Sequence, residues 1–321
     1  MKILVTGGAG FIGSNYVRYV LESTDDAVTV YDALTYAGNE STLAGLDELY
    51  AGRYRFVHAN ICDLGALTAA LEGHDSVVHF AAESHVDRSI AGPEDFVVTN
   101  CVGTNAVLHA SRTLGVSRVV HVSTDEVYGS VEEGESVETD PLDPRSPYSA
   151  SKAGSDLIAL SYFSTYQTPV TVTRSSNNFG PWQYPEKVIP LFATNLLDGR
   201  KVPLYGDGLN RRDWLHVRDN CAAIDLVLRK GQAGEIYNIG AGNELSNRDL
   251  TDRLLALAGA GEDMVRYVED RLGHDRRYAV DSAKVRKLGW EPSADLDQAL
   301  AATFAWYRDN RWWWEPLKGV R

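Results

Sequence analysis

The chain has 321 residues, which suits one large α/β unit or two small domains. Asp and Glu number 44 and Lys and Arg number 31, so the formal net charge is −13. This acidic balance argues against a nucleic-acid or anionic-membrane surface, because both need a basic footprint. A small anionic ligand remains compatible with it, since a site can be locally basic on an acidic protein.

The three cysteines, Cys62, Cys101 and Cys221, are scattered and form no CxxC pair. This pattern argues against a disulfide framework and against a zinc site, and it fits a reducing cytosol. The apolar run that opens the chain reaches Gly7 too soon for a secretion signal, and no apolar stretch approaches the roughly 18 residues of a membrane span. We therefore expect a cytoplasmic protein without a metal site.

Short β-branched runs alternate with longer helical patterns in the first half of the chain. The runs lie at 2–5, 28–31, 55–57, 76–80, 118–122 and 170–173. Strands separated by helices predict βαβ units and a parallel, doubly wound sheet with its ligand crevice at the carboxyl ends of the strands. After Arg174 several prolines break the chain, and helical patterns return at 217–228 and 247–258.

These patterns together predict an α/β fold: a Rossmann-type doubly wound parallel sheet with a smaller, discontinuous α/β substrate-binding lobe. We assign residues 1–174 and 215–239 to the dinucleotide-binding domain, and residues 175–214 and 240–321 to the lobe. Four tryptophans, at positions 306 and 312–314, lie near the C-terminus. We expect them to serve packing, as most aromatic clusters do.

Glycines at positions 7, 10 and 13 form a GxxGxxG pattern directly after the first predicted strand and at the start of a helix. Glycine permits the tight turn and lets a pyrophosphate reach the backbone amides, while the helix N-terminus adds partial positive charge. A glycine-rich turn alone is a weak signal. Its position between a strand and a helix predicts a dinucleotide site at Gly7, Gly10 and Gly13.

Asp32 ends the second predicted strand, 19 residues beyond Gly13. An acidic residue at this spacing accepts hydrogen bonds from the ribose hydroxyls and repels a 2′-phosphate, so it favours NAD over NADP. The alternative role for Asp32 is that of a turn cap.

Tyr148 and Lys152 form a YxxxK pattern, and Pro147 suits the first turn of a helix. Residues i and i+4 share one helix face, so the phenol and the ammonium point into the same space. A nearby ammonium and a cationic nicotinamide ring both favour phenolate, and we expect them to lower the tyrosine pKa. The alternative is an unremarkable surface pair, but behind a dinucleotide turn the pattern indicates hydride chemistry at a hydroxyl-bearing carbon.

Thr124, Asp125 and Glu126 follow the fifth predicted strand, at the edge where the crevice should lie. Two adjacent acids in a cleft can have their pKa values pushed apart, which gives one acid and one base. Adjacent acids are also common in solvated loops, but the position directly after an apolar strand favours a functional role.

At this point the sequence resembles the dTDP-glucose 4,6-dehydratases of the extended short-chain dehydrogenase/reductase superfamily, over nearly its whole length. The motifs that carry the resemblance are YDALTYAGN (31–39), AAESHVDRS (81–89), STDEVYG (123–129), SNNFGP (176–181), PEK (185–187), RDW (212–214) and GHDRRY (273–278). The Thr-Asp-Glu triplet is the most specific of them, since epimerases of the superfamily usually lack the Asp-Glu pair.

The resemblance implies an internal redox reaction that converts dTDP-glucose to dTDP-4-keto-6-deoxyglucose and water. Thr124 would steady the sugar and Tyr148, held ionised by Lys152, would take the C4 hydroxyl proton as hydride passes to NAD. The C4 ketone acidifies the C5 hydrogen; Glu126 would remove it while protonated Asp125 protonates the departing C6 hydroxyl. Hydride would then return to C6.

The resemblance also implies binding residues, and a homodimer whose helix after Thr99 pairs with the helix holding Tyr148. Beyond the residues already named, those implied at the cofactor are Phe11, Ile12, Leu34, Thr35, Asn60, Ile61, Phe80, Ala81, Ala82, Ser84, Thr99 and Asn178. Those implied at the nucleotide sugar are Ser84, His85, Asn177, Glu186, Lys187, Val188, Pro203, Tyr205, Arg212, Asn247, Arg271 and His274.

Two other functions remain open from the sequence. A nucleotide-sugar 4-epimerase needs the same cofactor and Tyr148 but no acid–base pair. A non-catalytic NAD(H)-sensing protein needs the dinucleotide turn alone, and the presence of both Tyr148 and the acid pair argues against it.

Overall fold

A seven-stranded parallel sheet organises the protein, which is described by a computed structural model over residues 1–318. Its strand order is β10-β6-β5-β4-β1-β2-β3. The strands in chain order are β1 (Lys2–Thr6), β2 (Ala27–Asp32), β3 (Tyr54–His58), β4 (Ser76–His79), β5 (Arg118–Thr124), β6 (Val170–Ser175), β7 (Asn177–Phe179), β8 (Val202–Tyr205), β9 (Arg211–His216), β10 (Ile236–Ile239), β11 (Glu244–Ser246) and β12 (Val265–Val268). The Rossmann-type parallel sheet predicted from the alternating pattern is confirmed.

Helices fill the connections between the strands. They are α1 (Phe11–Ser23), α2 (Leu46–Leu49), α3 (Leu64–Leu71), α4 (Val86–Ala91), α5 (Glu94–Phe96), α6 (Thr104–Thr113), α7 (Pro147–Tyr166), α8 (Val188–Leu197), α9 (Val217–Lys230), α10 (Asn247–Ala258), α11 (Ala283–Lys287), α12 (Leu296–Asp309) and α13 (Arg311–Lys318). A π-helix, Val97–Gly103, leads into α6. Within residues 1–318, none of the helices combines the length and apolarity needed to cross a bilayer.

Alternate residues of the sheet build two separate cores, one on each face. Ile3 and Val5 of β1 pack in the core that contains residues of α1 and α9, whereas Leu4 packs in the core that contains residues of α3, α6 and α7. This follows from the period of two along a strand, which sends successive side chains to opposite faces. Both faces are covered, and that explains why the strands read as nearly continuous apolar runs.

A third core lies outside the seven-stranded sheet. It joins α8, α10 and α12 with β8 and β9, and it buries Trp313 and Trp314. Two small sheets, β11-β9-β7 and β12-β8, accompany it. The sequence predicted only loops and short pieces near β7, β8 and β9, because these strands have three to six residues and carry weak periodicity. The boundaries assigned above to the two domains stay a prediction.

The carboxyl ends of the central strands share one edge of the sheet. Thr124 of β5 pairs with Ser175 of β6, and Thr6 of β1 pairs with His79 of β4. Because the strands are parallel, the turns after β1, β4, β5 and β6 converge at this edge. A ligand-binding site is therefore expected at this edge of the sheet.

A buried ion pair ties α7 to the sheet. The Arg174 guanidinium on β6 donates from Nε to Asp156 Oδ2 at 2.9 Å, and both side chains are buried. Arg174 also donates from Nη1 to the Tyr128 hydroxyl at 2.7 Å, and that hydroxyl donates to Asn238 Oδ1 at 2.8 Å. The network fixes the helix, the turn after β5 and β10 relative to one another.

Replacing Arg174 by leucine should lower the free energy of unfolding by about 3–5 kcal/mol, because it leaves the Asp156 carboxylate buried without its partner. Urea denaturation measures this loss. Arg218→Leu is the control, since Arg218 forms an exposed pair with Glu22 at 3.2 Å and should cost under about 1 kcal/mol. Equal losses in the two variants would contradict the importance assigned to the buried pair.

Candidate active site

The glycine turn between β1 and α1 is shaped by backbone packing. Gly7 has φ +70°, and a Cβ there would lie 2.5 Å from the amide nitrogen of Ala81. A Cβ on Gly13 would lie 2.2 Å from the Gly7 carbonyl oxygen. Gly10 is different, since its nearest neighbour would be the same oxygen at 3.3 Å. Gly7 and Gly13 are thus required for the turn itself, whereas Gly10 keeps the approach to the N-terminus of α1 open.

The Asp32 carboxylate at the end of β2 holds the loops around this turn. Its Oδ2 accepts a hydrogen bond from the Ala9 amide at 2.9 Å, and Oδ1 accepts one from the Leu34 amide at 2.8 Å. Burial raises the pKa of the Asp32 carboxyl. The capping role considered above is therefore present, and each carboxylate oxygen keeps a further lone pair for a ribose hydroxyl.

Thr124, Asp125 and Glu126 lie together at the carboxyl end of β5. Thr124 ends the strand, and its hydroxyl accepts from the Glu126 amide at 3.2 Å and donates to Asp125 Oδ1 at 3.3 Å. Asp125 is 2% exposed, and its Oδ2 is buried without a hydrogen-bond partner. One Asp125 oxygen is therefore left without a hydrogen bond from the described residues.

Different neighbours separate the pKa values of the two acids. Burial, then the Glu126 and Asp213 carboxylates, raise the pKa of Asp125 well above its ordinary value. Burial also raises the pKa of Glu126, but the nearby cations of Arg271, Arg212 and Lys187 all oppose that rise. Arg212 lowers the pKa of both acids, but Arg271 and Lys187 act on Glu126, and this difference favours the ionised form of Glu126 relative to that of Asp125.

Tyr148 and Lys152 lie on the first two turns of α7, which Ser146 caps through a reciprocal pair of hydrogen bonds with Ser149. The Lys152 ammonium donates to the Val122 carbonyl of β5 at 2.8 Å. Burial lowers the pKa of Lys152 to about 8. The helix therefore presents the phenol and delivers a buried ammonium to the sheet.

The Tyr148 phenol differs from the sequence expectation. Burial, followed by the Glu126 and Asp125 charges, raises the Tyr148 pKa well above its ordinary value. The two neighbouring carboxylates, which the YxxxK pattern does not reveal, act in the direction opposite to an ammonium. The protein alone thus keeps this phenol protonated, and ionisation requires additional positive charge from a ligand.

A cavity of about 310 Å³ runs from the glycine turn to the acid pair. Every residue predicted at the cofactor lines it except Leu34. The Leu34 amide instead donates a hydrogen bond to Asp32, and the residue adopts φ +50°. The lining members of that prediction are Gly7, Gly10, Phe11, Ile12, Gly13, Asp32, Thr35, Asn60, Ile61, Phe80, Ala81, Ala82, Ser84, Thr99, Tyr148, Lys152 and Asn178. The predicted catalytic residues Thr124, Asp125 and Glu126 also line it.

A second cavity of about 210 Å³ adjoins the first. Its wall includes most of the residues predicted at the nucleotide sugar, namely His85, Glu126, Asn177, Glu186, Lys187, Val188, Pro203, Tyr205, Arg212, Asn247, Arg271 and His274. The two cavities share a set of residues, which we call the junction: Glu126, Asn177, Asn178, Gln183, Glu186 and Lys187. The remaining predicted substrate residues, Ser84, Thr124 and Asp125, line the first cavity.

Three cationic side chains line the second cavity, Lys187, Arg212 and Arg271, together with three carboxylates, Asp87, Glu126 and Glu186. Arg212 is buried, and it donates from Nη2 to the Asp275 carbonyl at 2.9 Å. Arg271 Nε is buried without a partner, so it has a donor to spare. The Lys187 ammonium donates to the Ser84 carbonyl at 2.8 Å. Burial lowers the pKa of His85 and of His274 to about 4, which leaves both imidazoles neutral at neutral pH.

Some lining residues are not among the site residues predicted from the sequence. Ser123 and Ser175 line the first cavity next to the ends of β5 and β6. They could have been predicted, because ligands bind at the carboxyl ends of parallel strands. Gln183 at the junction and Tyr278 in the second cavity follow no strand of the central sheet. Their positions depend on the loops of the smaller sheets.

The first cavity fits a dinucleotide by its own features. A side chain on Gly7 or Gly13 would disrupt the turn, and no side chain caps the N-terminus of α1, so its amides are available to a phosphate. Asn178 Oδ1, Ser123 Oγ and Asp125 Oδ2 are buried without partners on the same wall. These unpaired groups are suited to a polar ligand rather than to an empty apolar space.

Comparisons with known proteins agree with this geometry. A family model described as GDP-mannose 4,6 dehydratase matches residues 4–303. The chain is 55% identical to a dTDP-glucose 4,6-dehydratase of Streptomyces antibioticus, with 99% of this chain and 96% of that protein covered.

Solved structures give the same result. A dTDP-glucose 4,6-dehydratase of Streptomyces venezuelae, with NAD bound, superposes with a TM-score of 0.96 at 56% identity, covering 99% of this chain and 100% of that one. A dTDP-glucose 4,6-dehydratase of Bacillus anthracis, in complex with NAD, gives a TM-score of 0.92 at 48% identity, covering 99% of each chain. The chain therefore belongs to the dTDP-glucose 4,6-dehydratase family.

Proposed function

We propose that the protein is an NAD-dependent hydro-lyase that converts dTDP-glucose to dTDP-4-keto-6-deoxyglucose and water. The observation that carries the proposal is the adjacent acid pair, Asp125 and Glu126, which lines the same cavity as Tyr148 and Lys152. An epimerase has no use for that pair. The names of the relatives, dTDP-glucose 4,6-dehydratases at 53–56% identity, support the substrate.

The predicted site residues support a separate binding region for each part of the ligands. The glycine turn and Asp32 would hold NAD, which when bound supplies the acceptor and later the donor of one hydride. Lys187, Arg212 and Arg271 would hold the diphosphate, since their charges complement it. The hexose would then lie at the junction of the two cavities, within reach of Tyr148 and the acid pair.

Three side chains, Tyr148, Glu126 and Asp125, transfer protons in the proposed reaction. Thr124 orients the sugar, and Tyr148 takes the proton of the C4 hydroxyl while the Lys152 ammonium favours its phenolate. Oxidation at C4 makes the C5 hydrogen acidic. Glu126 removes that proton, and Asp125 gives its own proton to the C6 hydroxyl, which leaves as water. Glu126 afterwards returns a proton to C5. Tyr148 then releases the proton that it gained and Asp125 takes one up, and this exchange restores the starting state of the protein.

The assignment is tested by incubating the purified protein with dTDP-glucose in heavy water and analysing the sugar by mass spectrometry. We expect loss of one water and gain of one deuterium at C5. With substrate deuterated at C4, the label should appear at C6 and not in the solvent. A galactose isomer without loss of water would indicate an epimerase, and unchanged substrate would indicate a binding protein.

Glu126→Gln and Asp125→Asn should each lower kcat by roughly 10²–10⁴, the size of a lost general acid or base, while NAD stays bound. Single-turnover absorbance of reduced nicotinamide should show that both variants still oxidise C4, whereas Tyr148→Phe should not. Glu133→Gln, at an exposed position, is the control and should retain activity. Near-normal turnover in the Asp125→Asn/Glu126→Gln double variant would exclude the elimination roles.

The activity should fall as the pH rises through about 8, because the Lys152 ammonium, whose pKa is about 8, loses its charge there. The charged form predominates below that pH, so the loss lies on the alkaline side of the kcat profile. Arginine keeps its charge, and Lys152→Arg should therefore move the alkaline limb upward even if its rate is lower. An unchanged alkaline limb in this variant would assign the limb to another group.

We also infer a homodimer. Val97, Val98 and Val102 of the π-helix and Leu157 of α7 are each at least half exposed, which is unusual for so many large apolar side chains on adjacent helices. Pairing of these helices about a two-fold axis would cover them. Sedimentation velocity tests the assembly, and a monomer at micromolar concentration would contradict it.

A cytoplasmic location is the last element of the proposal. It rests on the free thiols of Cys62, Cys101 and Cys221, which fit a reducing compartment. Cell fractionation tests it, and recovery of the protein in a secreted fraction would contradict it.

A further inference from the structure

Gln183 lies at the junction of the two cavities with one end of its side chain unpaired. Only 8% of the residue is exposed. Its Nε2 donates to the Asn178 carbonyl oxygen at 3.0 Å. A carbonyl can only accept, so this bond fixes which end of the amide is nitrogen. The Oε1 atom is therefore directed away from Asn178, and it is buried without a hydrogen-bond partner.

The same wall carries further unpaired acceptors. Asn177 Oδ1 and Asn178 Oδ1 are also buried without partners, and both residues belong to the junction. A buried acceptor without a donor costs free energy, and protein side chains nearby do not relieve this cost. Such a wall is complementary to a ligand that presents several O–H or N–H donors.

The backbone around Gln183 is strained and held in place. Trp182 has φ +70°, in the left-handed region that bulky residues rarely adopt. Its ring packs against Trp306 and Trp313, with centroid distances of 4.7 and 5.4 Å. The Tyr307 hydroxyl donates to the Gln183 carbonyl at 2.6 Å. Strain that is maintained by so many contacts is typical of a segment with a functional position to keep.

We propose that Gln183 is a substrate-binding residue, whose Oε1 accepts a hydrogen bond from a hydroxyl group of the hexose. This inference rests on the proposed function, because it takes the sugar to lie at the junction. A nicotinamide carboxamide also has N–H donors. The sugar is the better partner because Gln183 also lines the second cavity, to which no residue of the glycine turn contributes.

The test compares two ligands by isothermal titration calorimetry in a Tyr148→Phe background, which should bind the nucleotide sugar without converting it: dTDP-glucose, and dTDP, which lacks the sugar. Gln183→Met keeps the length of the side chain and removes the acceptor. It should weaken dTDP-glucose binding by about tenfold, the size of one lost hydrogen bond, and leave dTDP binding within about twofold. Gln298→Met is the matched control, since Gln298 is exposed on α12, and it should change neither affinity.

Three results would overturn the inference. In the first, Gln183→Met keeps the wild-type ratio of dTDP to dTDP-glucose dissociation constants. In the second, the variant loses affinity for NAD with that ratio unchanged, so that the oxygen faces the cofactor. Should the methionine variant fail to fold, Gln183→Leu removes the same acceptor and should lower the ratio in the same way, and a wild-type ratio there is the third.

Wild-type turnover separates this inference from the function on which it rests. If the wild-type protein does not convert dTDP-glucose, the proposed function fails. If the wild type converts it and the Gln183 variants bind the sugar normally, the function stands and only the role of Gln183 fails.

Discussion

The buried carboxylate of Asp156 is the interaction on which the catalytic half of the molecule depends. It lies one helical turn beyond Lys152 on α7, pairs with Arg174 of β6 and approaches His121 of β5 at 3.3 Å. Its charge also raises the pKa of Lys152 and so favours the ammonium form, whereas burial lowers that pKa. One acid thus joins a helix to two strands and supports the nearby cation. Breaking a buried pair is costly, so the relative position of helix and sheet is well defined.

That fixed frame matters for the proposed acid pair, because the two acids differ only in part of their surroundings. Asp125 and Glu126 are neighbours in sequence and both lie near Arg212, yet Asp213 acts on the first and Arg271 and Lys187 act on the second. Electrostatic energies change steeply with distance in a weakly polar interior. A turn that could move freely after β5 would average these environments, and the two acids would lose their separate roles.

Local periodicity explains why the fold could be predicted. The alternation of Ile3, Leu4 and Val5 between two cores reflects a covered parallel sheet, and such sheets constrain the turns at their carboxyl ends. The glycine turn, Asp32 and the YxxxK helix follow from short-range spacing. All of them line or border the first cavity where the sequence indicated.

Properties that depend on distant residues could not be predicted in this way. The raised pKa of Tyr148 comes from burial and from carboxylates about twenty residues earlier in the chain. The short strands β7 to β9 have too few residues for a clear period, and Gln183 owes its orientation to the loop that follows β7. The family motifs located the residues of the second cavity, but only the structure joined it to the first.

The packing of Trp182 against Trp306 and Trp313 has a consequence for biosynthesis. A growing polypeptide emerges from the ribosome in order, and the β1–α1 turn is translated before Trp182. Trp306 and Trp313, which pack against Trp182, are translated much later. A nascent protein can therefore form the glycine turn early, but the wall that carries Gln183 becomes fixed only after both indoles have been translated.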